Sequence, residues 1–460
     1  MKTLRWFAFL ILTIWAASCS KEPVPNQTGL NFQTLNNGSL QFVCSPLKIA
    51  VISDIHYLDP SLMKNDAAMG AAFQTYLSQD PKLLGYSDPI FRSAMSKVIA
   101  YKPDILLVSG DITKDGEKVS HETMANFFKQ ISDQGIKVLV IPGNHDVNNP
   151  EAASYDGDIA SPVTSITADD FASIYSGFGY GDAISRDTHS LSYISQPFSD
   201  VNLWILAIDA CKYDQNVPGG FETVGGAIKP ETMTWILDRL AYAKTHNITV
   251  LGMMHHGILE HYTDQSVIDP GYVVDNWQAT ADKLIDAGLK IMFTGHYHAN
   301  DITLRKKTNK ILYDIETGSL VTPPSPYRLI TLNRDCMSIE TGHITSIDAT
   351  IPGGLDFVTY SNMFLAGHLD GIFTYLLSNP PYYVPPTVAG NIAPLFRDGM
   401  MAHYAGDEHI TLKEWMLDNK LNTISPTLAK IVRDFWTDLP PADNRLNINM
   451  ENSLMRYRHN

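Results

Sequence analysis

Five short clusters in this chain combine carboxylates, a carboxamide and imidazoles: Asp54-Ile55-His56, Gly110-Asp111, Gly143-Asn144-His145-Asp146, His255-His256 and Gly295-His296-Tyr297-His298. These are the side chains that hold divalent cations through oxygen and nitrogen. Two such ions about 3.5–4 Å apart need one carboxylate able to bridge them, with neutral imidazoles and carbonyl or carboxylate oxygens completing each shell. A mixed nitrogen and oxygen set suits Fe, Mn or Zn, whereas Ca or Mg sites use few histidines. Together the clusters read as the site of a two-metal hydrolase.

Each cluster directly follows an apolar run, at residues 48–53, 104–109, 137–142, 249–254 and 290–294, rich in Ile, Val, Leu, Met and Phe. Such runs suit buried strands. When the strands of an open α/β sheet end side by side, the loops beyond their carboxyl ends converge on one crevice. Seven potential ligands far apart in sequence would then face one another. Between the runs lie amphipathic segments, such as Ile90, Phe91, Ala94, Val98 and Ile99 after Asp88-Pro89, read as a capped helix, and Met233, Ile236, Leu237 and Leu240 after Pro230 and Glu231.

Asp-x-His or Gly-Asp alone occurs by chance in many chains, but all five clusters in this order resemble the calcineurin-like metallophosphoesterase family over about residues 47–348. The resemblance implies an α/β fold: a four-layer αββα sandwich of two mixed sheets with helices outside. It implies that Asp54, His56 and His298 hold one metal, that Asn144, His255 and His296 hold the other, and that Asp111 bridges. The ion pair would activate water and neutralise phosphoryl oxygens. His145 would face the substrate and stabilise or protonate the leaving oxygen, with Asp146 orienting it. The alternative is that His145 and Asp146 cap the turn after the strand. The fourth cluster departs from the family's common His-x-Pro or His-His-Pro, since Gly257 follows His255-His256. His255 matches the first histidine of that pattern, and His256 remains the other choice.

The segment from Gly110 to Glu117 resembles its counterpart in cyclic-nucleotide and glycerophosphodiester phosphodiesterases, which favours a small phosphodiester over a phosphomonoester. His121, His261, Tyr57 and Tyr297 could line the pocket, though lone histidines and tyrosines are as often packing residues. Asp209, closing the run at 203–208, reads as a turn former.

The amino terminus has basic Lys2 and Arg5, an apolar stretch from Trp6 to Trp15, and Ala16-Ala17-Ser18 before Cys19. Residues 1–18 read as a secretory signal peptide. Small residues leading into a cysteine resemble the lipobox of bacterial lipoproteins, so Cys19 is expected to carry a lipid anchor, with an ordinary signal peptide as the alternative. Both readings export the protein to the cell envelope. Residues 19–46 read as a linker.

The formal net charge of −15 disfavours nucleic acid as a partner, because binding its backbone normally needs a basic surface. A nuclease would need a basic channel that no Lys/Arg run supplies. A non-catalytic surface lipoprotein would need a closed metal site, and His145 is superfluous in one. No protein partner is inferred. Cys44, Cys211 and Cys336 read as incidental thiols or one oxidised pair. Residues 47–350 form the expected catalytic domain, followed by a mainly helical extension at 351–460, broken by the prolines between Asn379 and Pro386.

Overall fold

All five apolar runs are strands: Leu47–Ile52, Ile105–Val108, Lys137–Val140, Thr249–Met254 and Ile291–Thr294. They are divided between two sheets in the computed structural model, which describes residues 46–450. The signal peptide, Cys19 and Cys44 lie outside the described residues. The first sheet has the order Arg445–Asn449, Cys336–His343, Pro326–Leu332, Leu47–Ile52, Ile105–Val108, Lys137–Val140. Its last three strands are parallel, with Ile49 opposite Ile105 and Leu106 opposite Val138. The second runs Ile302–Lys307, Lys310–Glu316, Ile291–Thr294, Thr249–Met254, Leu203–Ile208, Tyr193–Ser195, Ser185–Arg186 and is likewise mixed.

Alternation along one strand shows how the layers form. Leu203, Ile205 and Ala207 enter the core shared with the first sheet. Trp204, Leu206 and Ile208 face the other way, packing with Met233, Ile236 and Leu240 of helix Pro230–Thr245 and with Leu284 and Ile285 of helix Trp277–Ala287. A residue period of two thus buries the strand on both faces. On the far side, helices Ser87–Tyr101 and Lys118–Ser132 cover the first sheet with Ile90, Phe91, Val98, Met124 and Phe128. The result is the four-layer α/β sandwich expected. Asp88 does not cap its helix: it sits inside the first turn and accepts from the Tyr57 hydroxyl and Arg92.

After Gly354 the chain forms helices Phe357–Ser378, Pro386–Ala405, Leu412–Ile424 and Pro426–Phe435. Leu365, Leu369, Phe373 and Leu377 recur every four residues and pack on Ala389, Ala393, Phe396 and Met400. Tyr262, Tyr297 and Ala299 from the sandwich belong to the same cluster, so the extension is built onto the core. The chain then returns: Arg445–Asn449 pairs antiparallel with Cys336–His343 as an edge strand of the first sheet. Its alternating Leu446, Asn447, Ile448 and Asn449 is the only sequence trace of that strand, inside a segment otherwise read as helical. Cys211 and Cys336 are free thiols. No described helix is long and apolar enough to cross a membrane.

Candidate metal centre and substrate pocket

The clusters sit where backbone pairing continues past the strand ends. Asp54 N donates to Gly110 O at 3.1 Å, His56 N to Asp111 O at 2.9 Å and Tyr57 N to Ile112 O at 3.0 Å, which holds the first two loops side by side. Gly295 N donates to His255 O at 2.9 Å and ties the last two. Asp54, His56, Asp111, His296 and His298 all adopt positive φ, between 42° and 83°. Non-glycine residues rarely do so, and such strain concentrates at functional sites. The motif glycines allow close approach. A Cβ on Gly143 would lie 2.0 Å from Asp111 Oδ1, and one on Gly295 would lie 2.5 Å from Asp54 Oδ2.

Two groups of donors result. His56 Nε2 and His298 Nε2 stand 3.3 Å apart, and lie 3.8 and 3.4 Å from Asp54 Oδ1. His255 Nε2 lies 3.1 Å from Asn144 Oδ1, and its ring packs 4.7 Å from that of His296. Asp111 Oδ2 lies between the groups, 3.6 Å from His56 and 3.2 Å from His255. Its other oxygen accepts from the His145 amide at 3.0 Å.

Neighbouring contacts fix the rings. His255 Nδ1 donates to Ser109 O at 2.8 Å, His296 Nε2 to Gly271 O at 3.1 Å, and His298 Nδ1 meets Thr322 Oγ1 at 3.1 Å. Partners of this kind set the tautomer and leave the other nitrogen free. Burial, with Lys82, lowers the pKa of His56. Burial, with His256 and His255, lowers that of His296. Both are therefore neutral lone-pair donors. His255 differs: burial pulls it down, but Asp111 outweighs this and holds it at about 9. Asp54 Oδ1 is buried without a hydrogen-bond partner. An orphaned carboxylate oxygen facing imidazole nitrogens fits a cation, and the donors fit two.

Of the two adjacent histidines, His255 faces Asp111. His256 points to the Val224 carbonyl at 2.8 Å, and burial lowers its pKa to about 3.

The His145–Asp146 pair differs from expectation. His145 Nδ1 donates to Asp115 Oδ1 at 2.8 Å, so Asp115, not Asp146, is the orienting carboxylate. Asp146 instead accepts from Gly143 N, Ile112 N, Thr113 N and Thr113 Oγ1, binding two motif loops together. One of these donors, Gly143 N, is local to the turn, and the other three come from the neighbouring motif loop, which leaves Asp146 no oxygen facing His145. Asp115 is held in turn by the buried Lys114, which also stands 3.5 Å from Glu117. Burial and Lys82 push the His145 pKa down, but Asp111, Asp115 and Glu222 together hold it up at about 10.

Two further groups reach His145 Nε2: Lys82 Nζ at 3.5 Å, also 3.4 Å from His56 Nδ1 and 3.0 Å from Asp80, and Glu222 at 4.0 Å. A lone Lys or Glu in a long connection has no sequence signal separating it from a surface residue. Asp115 did, since it stands in the Gly110–Glu117 segment. Tyr297 lines the pocket and donates to Asp269 at 2.7 Å. His121, Tyr57 and Asp209 do not line it: they bond to Tyr175, Asp88 and the Leu191 amide. His261 lies in a separate buried cluster with Asp301.

Above the metal centre, the pocket wall comes from the connection after the first strand (Tyr76, Asp80, Lys82) and from helices of the extension (Leu369, Ile372, Phe373, Met400, Tyr404).

The sequence profile of the calcineurin-like phosphoesterase family matches residues 47–300. The chain belongs to the calcineurin-like phosphoesterase family. Its members use divalent metal ions, in keeping with the His/Asp clusters here. Two curated relatives match locally. A probable cyclic nucleotide phosphodiesterase of Ruthia magnifica subsp. Calyptogena magnifica is 38% identical over 58 residues, 13% of this chain and 24% of that one. Its namesake in Vesicomyosocius okutanii subsp. Calyptogena okutanii is 32% identical over 73 residues, 16% of this chain and 30% of that one. This chain thus spans less than a third of the length of either relative. Among solved structures, a dimetal phosphatase from Danio rerio superposes with a TM-score of 0.43 at 14% identity, covering 65% of this chain and 96% of that one.

Proposed function

We propose that this phosphoesterase hydrolyses a small phosphodiester. The carrying observation is the pocket beside Asp111, where His145 and Lys82 stand among the carboxyl groups of Asp80, Glu151 and Glu222 and an aromatic and apolar wall. When bound, the two ions supply Lewis acidity toward phosphoryl oxygens and lower the pKa of water. Asp54, His56 and His298 would hold one ion, Asn144, His255 and His296 the other, with Asp111 between; the donor set suits Fe, Mn or Zn. Lys82 Nζ offers charge to a phosphoryl oxygen, and His145 Nε2, its far side fixed by Asp115, offers a proton to the departing alkoxide.

A phosphodiester carries one negative charge and a monoester close to two near neutral pH, so the carboxyl groups penalise the monoester more. The second ester substituent would rest on Ile372, Phe373 and Tyr404. The relatives named as probable cyclic nucleotide phosphodiesterases agree with this reading. The test compares kcat/KM for bis(p-nitrophenyl) phosphate, cyclic nucleotides and glycerophosphodiesters with that for p-nitrophenyl phosphate, in protein reconstituted with Mn, Fe or Zn. Higher kcat/KM on the monoester overturns the diester reading.

We also propose export and lipid anchoring through Cys19. Cys19→Ser should move the protein from the membrane to the soluble fraction of the envelope. Unchanged fractionation with an unchanged amino-terminal mass would contradict the anchor.

A further inference from the structure

We propose that Asp301, His403 and Glu408 form a separate metal site, which takes one borderline divalent transition-metal ion of the Zn2+ type and clamps the C-terminal helices to the catalytic sandwich. Asp301 directly precedes the strand Ile302–Lys307, His403 is in the last turn of helix Pro386–Ala405, and Glu408 follows that helix. All three are buried, and one potential ligand atom from each lies within 4.8 Å of the other two. His403 Nδ1 stands 2.5 Å from Glu408 Oε1 and 3.8 Å from Asp301 Oδ2.

Two observations mark this cluster as a site. The first is that Asp301 Oδ2 and Glu408 Oε2, one oxygen of each carboxyl group, are buried without a hydrogen-bond partner. Buried polar atoms are rarely left so. The second is charge. Asp314, Glu316 and Asp443 are buried in the same neighbourhood, and Asp407 and Asp438 adjoin Asp443. Facing them are Arg328, His261 and His403. The Arg328 guanidinium donates to the carbonyl oxygens of Asp301, Glu316 and Asp443 and to the Thr341 hydroxyl. None of these four bonds reaches a carboxylate. His261 Nδ1 lies 2.6 Å from Asp301 Oδ1, and its Nε2 lies 3.3 Å from Asp314 and 3.6 Å from Glu316. Fully ionised, the buried carboxyl groups would outnumber the cations even with both imidazoles protonated; burial answers part of this excess by raising the pKa of Glu316 and Asp443. Unpaired buried charge is costly, and a dication would let the remaining carboxylates stay ionised.

The donor set of two carboxylates and one imidazole is that of a Zn2+ or Mn2+ site with three protein ligands and water. The backbone is shaped for it. Gly406, at φ 73°, turns the chain so that Glu408 comes back to His403, and a Cβ there would lie 2.4 Å from Asn300 O. Met400 and Tyr404, on the same helix, line the substrate pocket, so the ion would fix that wall.

The rival is a proton shared between His403 and Glu408 with no metal. Full-length protein equilibrated with Zn2+ and dialysed is assayed for metal content, beside Asp111→Asn, Glu408→Gln and His403→Gln, each checked by circular dichroism for native secondary structure. The expected result is three equivalents in the wild type, one fewer in Glu408→Gln and His403→Gln, and one retained equivalent in Asp111→Asn. That last value keeps the result independent of the dinuclear reading. An unchanged count in folded Glu408→Gln, or no retained equivalent in folded Asp111→Asn, overturns the proposal; a wild type holding only the equivalent that Glu408→Gln loses overturns the dinuclear reading instead. Anomalous scattering at the zinc edge from wild-type crystals decides it without any variant: a peak among the three side chains supports the site, and its absence refutes it.

Discussion

The floor and the roof of the substrate pocket are built on different principles. The floor is a set of strand-end loops locked to each other by backbone bonds such as Asp54 N to Gly110 O, and it carries nearly every donor for the dinuclear centre. The roof is assembled from side chains of the long connection after the first strand and of two C-terminal helices, which meet the floor only in the folded chain. Reaction chemistry depends on the floor, where a displacement of about 1 Å is expensive. Substrate choice depends on the roof, where van der Waals contact with variable loops suffices. If this division holds, substitutions in the floor should remove metal or kcat, whereas those in the roof should change KM and substrate ranking.

The largest effect is expected from Asp111→Asn, because Asp111 Oδ2 is shared by both donor groups, 3.6 Å from His56 and 3.2 Å from His255. Losing a shared carboxylate should exceed the cost of losing an outer partner, so metal affinity and turnover should each fall by more than about 100-fold. Both ions at full occupancy by elemental analysis would remove Asp111 from the bridge.

His145 should behave differently, since its imidazole donates to Asp115 and only its backbone amide, which a substitution keeps, donates to Asp111. In His145→Ala, metal content should stay near wild type while turnover of esters with poorly acidic leaving alcohols falls by about 100- to 10,000-fold. A nitrophenyl ester should lose less, and equal losses on both would indicate positioning of phosphate instead. Asp115→Asn should reproduce a weaker version of this defect in a folded protein. Asp146→Asn, which loosens the four donors joining two motif loops, should instead lower the unfolding free energy by about 1–3 kcal/mol. The opposite pattern in denaturation and kinetics would return the orienting role to Asp146.

The adjacent histidines give a smaller contrast. His255→Ala should weaken metal binding by a larger factor than His256→Ala, whose ring faces the Val224 carbonyl. As an outer group, His256 should cost about 10- to 100-fold at most. The reverse order in a Mn or Zn titration would exchange their roles.

The floor was legible in the sequence because it is local: each donor lies within a few residues of a strand end, and strand ends are marked by the end of an apolar run. The uninterrupted apolar run at 203–208 was legible in the same way, and the structure buries it on both faces. The failures share one physical cause. Asp115 outranks Asp146 as the partner of His145 because the nearer carboxylate is taken up by donors of the Ile112–Thr113 loop, and that competition is decided in three dimensions. Lys82 and Glu222 reach the site from connections whose sequences specify no position. The edge strand Arg445–Asn449 leaves only a four-residue alternation in the sequence and is fixed by its pairing with Cys336–His343.

The smallest predicted effect is also the sharpest test of the roof. Ile372 lines the pocket and is only partly buried, so shortening it should disturb the helix core less than changing Phe373 would. Ile372→Ala removes apolar contact with the substrate's second ester group and nothing that contacts metal or the leaving oxygen. A few methylenes of lost contact are worth about 1–3 kcal/mol in a pocket, and such a loss of uniform binding appears in KM with kcat unchanged. KM for a bulky diester should therefore rise about tenfold or more. For p-nitrophenyl phosphate, which lacks a second substituent, it should barely move. If kcat falls instead, the helix helps to order the floor, and the separation of chemistry from selection fails; if both substrates lose KM equally, the second ester group does not rest on this helix.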